Sequence, residues 1–227
     1  MKMDRRNFAV LSATSAILYS LAGPAKAQFG SLLGGGKSAG GSGNVEADVK
    51  GFLDRSFKIE VTASKAYLAI VAAYAKEEDR AKYQSLFQDV GKLTDPKEAG
   101  AKLQQVREST EAEIKRLAES KDLKETTTKL SEEKQKQVGK AVGNVLYAAF
   151  QAKGVIDTGK SVITSVSKNP MDIPKIEPVK GAVERLGSAA SLASSAMVKF
   201  VDVLAGVNVK VESSGSSSKE ESIDSLS

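Results

Sequence analysis

Residues 131–168 read SEEKQKQVGKAVGNVLYAAFQAKGVIDTGKSVITSVSK, and their apolar spacing decides the fold class. Val138, Val142, Val145, Ala149, Ala152, Ile156, Gly159, Ile163 and Val166 alternate steps of four and three. That spacing lines one face of an α-helix for a partner helix. At about 1.5 Å per residue, a helix of this length reaches roughly 55 Å, and it reads as the spine of an elongated bundle. Ser131 with Glu132 and Glu133 opens it. Asn169-Pro170 closes it, because the residue before a proline is pushed out of the helical region.

Downstream, MDIPKIEP (171–178) reads as an extended, proline-punctuated connection. Pro178 then opens a last helix with the stripe Val179, Val183, Leu186, Ala190, Ala193, Met197, Phe200 and Leu204, ended by Gly206. Val207 to Val211 alternates like a strand without an evident partner, and the remainder of 207–227 is a Ser-rich, charged stretch expected to be disordered. Upstream, Asp95-Pro96-Lys97-Glu98 is a helix start: a cap, the fixed dihedral of proline and a capping-box glutamate. The stripe Leu103, Val106, Thr110, Ile114 and Leu117 follows. Around it, Arg107, Glu108, Glu111, Glu113, Lys115, Arg116 and Glu119 read as a solvated face with weak ion pairs. A first helix begins near Val45, with Val49, Phe52, Ile59, Ala63, Ala66, Ile70 and Ala73 in mostly helical register and Phe57, Tyr67 and Tyr74 widening the face. Lys76-Glu77-Glu78-Asp79 is a charged bend or turn, followed by a shorter helical piece through Leu86, Phe87, Val90 and Leu93. Thr126 to Thr128 reads as a polar link. The expectation is an all-α protein: an antiparallel up-down bundle of about four long helices over residues 45–206, the first of them split or unbroken at the charged bend.

Composition narrows the chemistry. The 227 residues include no Cys, no His and no Trp, and only 5% are aromatic. Thiolate nucleophiles, disulfides, Zn–Cys sites, His-ligated metals and Ser–His–Asp triads are closed to such a chain. Carboxylates and carbonyls remain for Ca²⁺ or Mg²⁺, yet no loop carries the alternating Asp/Asn/Gly such a site needs. No catalytic, cofactor or metal residues are therefore assigned.

The first 27 residues are organised as a removable export signal. A basic stretch, MKMDRRN, precedes FAVLSATSAILYSLAG, which is too short and too Ser/Thr-diluted for a membrane span. Ala25-Lys26-Ala27 is an A-x-A processing site, with cleavage expected after Ala27, before Gln28. Arg5 and Arg6, with Phe8 after one intervening residue, resemble the twin-arginine translocation signal. The modest apolar stretch and Lys26 fit that resemblance; Asp4 and Ala9 depart from its pattern. The resemblance covers the signal alone, and implies a bacterial protein exported folded to the periplasm through the export machinery. A general secretory signal that happens to carry two arginines is the other reading. Residues 28–44 form a Gly/Ser-rich tether. Beyond the signal there are 29 basic and 27 acidic residues, net +2, which suggests no nucleic-acid partner.

Gly154 to Ser161 (GVIDTGKS) satisfies G-x-x-x-x-G-K-S and on that pattern resembles the Walker A element, with Lys160 for the β/γ-phosphates, Ser161 for Mg²⁺ and Asp202 as a degraded Walker B acid. The element needs a strand before it and a glycine turn within it. Here the helical stripe runs straight through, so a coincidental match is expected. The small residues Gly139, Gly143 and Gly187 to Ala196 invite two readings. One is close backbone approach between the last two helices. The other is a narrow apolar cavity lined by Val145, Ala149, Ala152, Ala190, Ala193 and Met197, able to hold a lipid, quinone or pigment tail. The leading expectation is a non-enzymatic exported interaction or structural protein, with an unknown protein partner or self-association. A carrier of a lipid-like ligand comes second, an enzyme third, and insertion of the Ala/Gly-rich helices into membranes last.

Overall fold

Ala66 to Tyr74 reads AYLAIVAAY, nine apolar residues with no polar face among them. A helix that is apolar all round needs neighbours on every side, and this stretch has them. In the computed structural model, which describes residues 44–211 and 220–226, Ala66 to Ala73 are all buried. They form the second half of α1 (Val45–Tyr74), whose first turn is capped by the Asn44 side chain accepting from the Ala47 N–H at 3.2 Å. The hub of the bundle is thus α1, and not the longer helix that the 131–168 spacing singles out. That spacing measures length and one apolar face; a hub is made by apolar residues on all faces.

Ala75 and Lys76 are extended and turn the chain back on itself. Glu77, Glu78 and Asp79 then sit in the first turn of α2 (Glu77–Gly91), where negative charge is favoured by the helix dipole. α2 returns along α1, with the Lys65 ammonium 5.6 Å from the centre of the Phe87 ring. Pro96 opens α3 (Pro96–Glu119), which is tied to α2 by Lys102–Asp89 at 3.1 Å. The expected stripe Leu103, Val106, Thr110, Ile114 and Leu117 is buried throughout, and Ala99 extends it by one turn. Thr110 is tolerated there because its hydroxyl donates to the Val106 carbonyl at 2.9 Å.

The threonine link is a correction. Residues 123–129 form a short helix, α4 (Leu123–Lys129), with Leu123 and Thr127 buried. Thr127 hydrogen-bonds the Tyr74 hydroxyl at 2.7 Å, so a polar residue marks a buried anchor rather than a solvated loop. α5 (Glu132–Val166) follows, capped by Ser131, which accepts from the Lys134 N–H at 3.3 Å. The connection after it is also not extended: Pro170–Lys175 winds as a 3-10 turn capped by Asn169. It leads directly into α6 (Ile176–Gly206), two residues earlier than Pro178 suggests. Pro178 fits inside the first turn, where its missing N–H has no intrahelical partner to lose.

Pairings give the directions. Phe52 meets Gly159 and Val183, Tyr67 bonds Ala189, and Tyr74 stacks edge-on with Phe200 at 6.0 Å. α1 and α6 therefore run parallel, with α5 antiparallel to both. The order of traversal is up-down, with α2 supplying the first return stroke; the charged bend is a reversal, not a kink. Among the described residues there are six α-helices and no strand. Two apolar clusters stack along the α1–α5–α6 axis, one around Tyr67, Val142 and Phe200, the other around Phe52, Val155 and Val179. A third joins Leu68 to Phe87, Val90 and Val106 of α2 and α3.

The described parts of 207–227 lie against the bundle. Val209 and Val211 are partly buried against the main cluster, as are Ile223 and Leu226. The strand-like 207–211 segment forms no strand: it turns at Asn208 (φ 59°) and lays Val209 over Gly139.

Candidate functional site

The Walker-like motif is decided by its backbone. Gly154 to Ser161 lies wholly within α5, with Thr158 donating to the Gly154 carbonyl at 3.1 Å. The N–H groups that would cradle a phosphate are spent in the helix. Gly159 has a packing role: a Cβ there would sit 2.5 Å from Val183 and 2.6 Å from Phe52. Close approach explains Gly139 as well, but not Gly187. Gly139 admits Val209 and the Lys210 carbonyl from the 207–211 segment, while Gly187 has nothing within 4 Å.

The six residues expected to line an apolar cavity fall in two of the apolar clusters and on their flanks. Val145, Ala193 and Met197 are buried in the main cluster. Ala152 is buried in the second, and Ala149 and Ala190 are only partly buried. An open groove of about 610 Å³ lies elsewhere, between α3 and α6. Arg107, Glu111 and Lys115 form one wall; Glu184, Gly187, Ser188, Ser191, Leu192 and Ser195 form the other. It is polar and solvent-open, unsuited to an apolar tail.

Beneath that groove lies an ion pair that helical spacing alone did not single out. Arg185 donates through Nε to Glu60 Oε2 at 2.7 Å and through a terminal nitrogen to Oε1 at 3.3 Å. Arg107 caps the Arg185 carbonyl at 3.4 Å. The Glu60 side chain is 7% exposed and that of Arg185 22%. Burial lifts the Glu60 carboxyl above the ordinary glutamate value, with the Arg185 hydrogen bond and the charges of Arg185 and Arg107 pulling the other way. The signal was present in the sequence: Glu60 falls four residues after Ser56 and three before Ala63, in register with the buried face. Beside it, burial raises the Tyr67 hydroxyl far above its usual range, so it stays a donor to the Ala189 carbonyl at 3.1 Å. Both oxygens of Glu60 are engaged by Arg185. Its chemistry is that of a structural clamp between α1 and α6.

Among the described residues no cluster of three or more acidic side chains could hold a metal ion. Exposed large apolar side chains are Met171 (87%) and Ile173 (54%) at the α5–α6 connection. The segment Pro170–Gly206 is long and apolar enough to cross a membrane, with mean hydropathy 1.3 over its best 18 residues, of which a third are buried in the bundle. The export residues Arg5, Arg6, Phe8, Ala25, Ala27 and Gln28 lie outside the described residues. Compared with protein-family models, curated proteins and solved structures, the chain matches none.

Proposed function

We propose that this chain is an exported helical-bundle protein that works by binding or assembling with other proteins, without catalysing a reaction. The observation that carries the reading is the closed packing where α1, α5 and α6 meet: Phe52 and Val183 occupy the space a side chain at position 159 would take. With the interior filled by its own side chains, the molecule has its surface to work with. A carrier of an apolar tail would need room between α5 and α6, where Ala152, Ala193 and Met197 are instead buried among neighbours. Residues 1–27 supply the address, with Arg5, Arg6 and Phe8 engaging the twin-arginine export machinery and cleavage after Ala27.

Native mass spectrometry of the protein purified from the periplasm of its host tests the functional reading. A second polypeptide, or a bare multiple of the chain mass, is expected; a non-covalent lipid-sized mass on a monomer would reject the reading in favour of a carrier. The export route has its own test. Replacing Arg5 and Arg6 together by lysine should leave the uncleaved precursor in the cytoplasm. Unchanged processing would assign the signal to the general secretory route.

A further inference from the structure

Residues 220–226 run back along α5 as a non-helical strap, and one buried side chain of α5 is committed to their main chain. Asn144 is 3% exposed, in the middle of a helix, between Gly143 and Val145. A buried amide in such surroundings is costly unless both its donor and its acceptor are used. Both go to a single residue of the strap: Asn144 Nδ2 donates to the Glu221 carbonyl and the Glu221 N–H donates to Asn144 Oδ1, each at 2.8 Å. Two turns earlier, Gln137 Nε2 donates to the Ser225 carbonyl at 2.8 Å. These bonds read backbone, not sequence, as do the main-chain contacts of receptors for extended peptides.

Selectivity comes from the side chains that point inward. Glu221 lies 3.9 Å from Lys140, and Ile223 and Leu226 are half-buried across the seam between the main cluster and the α2–α3 cluster. Ser222, Asp224 and Ser225 face outward. A concavity of about 250 Å³ remains beside the strap, with Lys65 and Asn144 on its wall. The surface thus favours an acidic residue followed by apolar ones two and five positions on, which is charge complementarity plus two apolar seats.

We propose that this surface is a docking site for an extended peptide of that chemistry, that residues 220–226 fill it in cis, and that a partner's segment of the same pattern takes their place. The proposal rests on the interaction reading above and gives it a surface. A strap joined to the bundle by eight residues competes at an effective concentration on the order of millimolar, so a free peptide meets a guarded site in the wild-type chain.

The test uses the full chain and a fluorescein-labelled peptide of residues 219–227 (KEESIDSLS). Ile223→Asp with Leu226→Asp should unseat the strap and raise the peptide's affinity at least tenfold over wild type, with circular dichroism unchanged. Asn144→Ala added to that variant should remove the gain. Because Asn144 is buried, a surface exchange provides the second arm: in the unseated variant, Lys140→Glu should weaken binding, and a peptide carrying Glu221→Lys should restore it. Equal binding by the wild type and the unseated variant, or no rescue by the charge exchange, would overturn the proposal. Wild-type dimers that dissociate on unseating the strap would also overturn it, assigning the surface to exchange between two copies. Failure here leaves the interaction reading to the mass measurement, whose outcome does not depend on this surface.

Discussion

At the residue scale, two glycines in equivalent helical settings have opposite roles. Gly159 faces Val183 and Phe52 inside van der Waals distance of a Cβ, whereas Gly187 borders the open α3–α6 groove. Gly159→Ala gains helix propensity but overpacks, and a net loss of about 1–2 kcal/mol is expected in urea denaturation. Gly187→Ala meets nothing and should gain about 0.5–1 kcal/mol. The Glu60–Arg185 pair is asymmetric for a similar reason. Arg185→Leu strands a 7%-exposed carboxylate and should cost about 3 kcal/mol at neutral pH. Glu60→Gln leaves a guanidinium that still reaches water, and should cost about half of that. The sign with pH follows from burial raising the Glu60 carboxyl. A group whose folded value lies above its unfolded value binds more protons when folded, so stability falls as pH rises from the ordinary glutamate value through the raised one. Removing Arg185 takes away contributions that oppose the rise. The Arg185→Leu deficit should therefore shrink as pH is lowered through that window, and a deficit that stays constant would contradict the assignment.

At the element scale, α5 exposes the limit of a periodic pattern. The expected stripe used Ala149, Ile156 and Ile163; the buried residues are Ala148, Val155 and Val162, with Val145, Ala152, Gly159 and Val166 common to both. Both phases alternate four and three, and both are apolar, so the sequence is degenerate and the helix rotates to suit α1 and α6. Lysine at the two positions separates the phases. Val155→Lys places a charge where 6% of the residue is exposed, and should cost about 3 kcal/mol or more. Ile156→Lys, on the partly exposed flank, can carry its ammonium to water and should cost about 1 kcal/mol. Comparable losses in a thermal melt would argue against the observed rotation. α3 had no such ambiguity, because charges crowd the flanks of Leu103, Val106, Thr110, Ile114 and Leu117 and leave one solution.

At the scale of the whole molecule, the up-down order depends on α2, the shorter helical piece that the pattern places after the charged residues. The charged residues 76–79 could have been a solvated turn inside one long helix; extended dihedrals at Ala75 and Lys76 make them a reversal. α2 then covers Leu68 with Phe87 and Val90, and the second half of α1 becomes enclosed on all sides. Disrupting that cover should loosen the entire bundle rather than one edge. Phe87→Ala is expected to cost about 3 kcal/mol and to lower the midpoint of a single cooperative transition, while a separate early transition would show α2 to be an independent flap.

By itself, the sequence determined the all-α class, the four long helices α1, α3, α5 and α6 to within a few residues, and the chemistries closed by the absence of cysteine and histidine. Local spacing, caps and prolines act through neighbours along the chain, and such signals survive without a fold. Tertiary structure alone decided which of two apolar phases α5 buries, that α1 is the hub, that Thr127 is an anchor, and that Asn144 and Glu60 find partners 77 and 125 residues away. Those outcomes depend on contacts between distant segments, and a polar residue in an apolar register announces that it needs a partner without saying which.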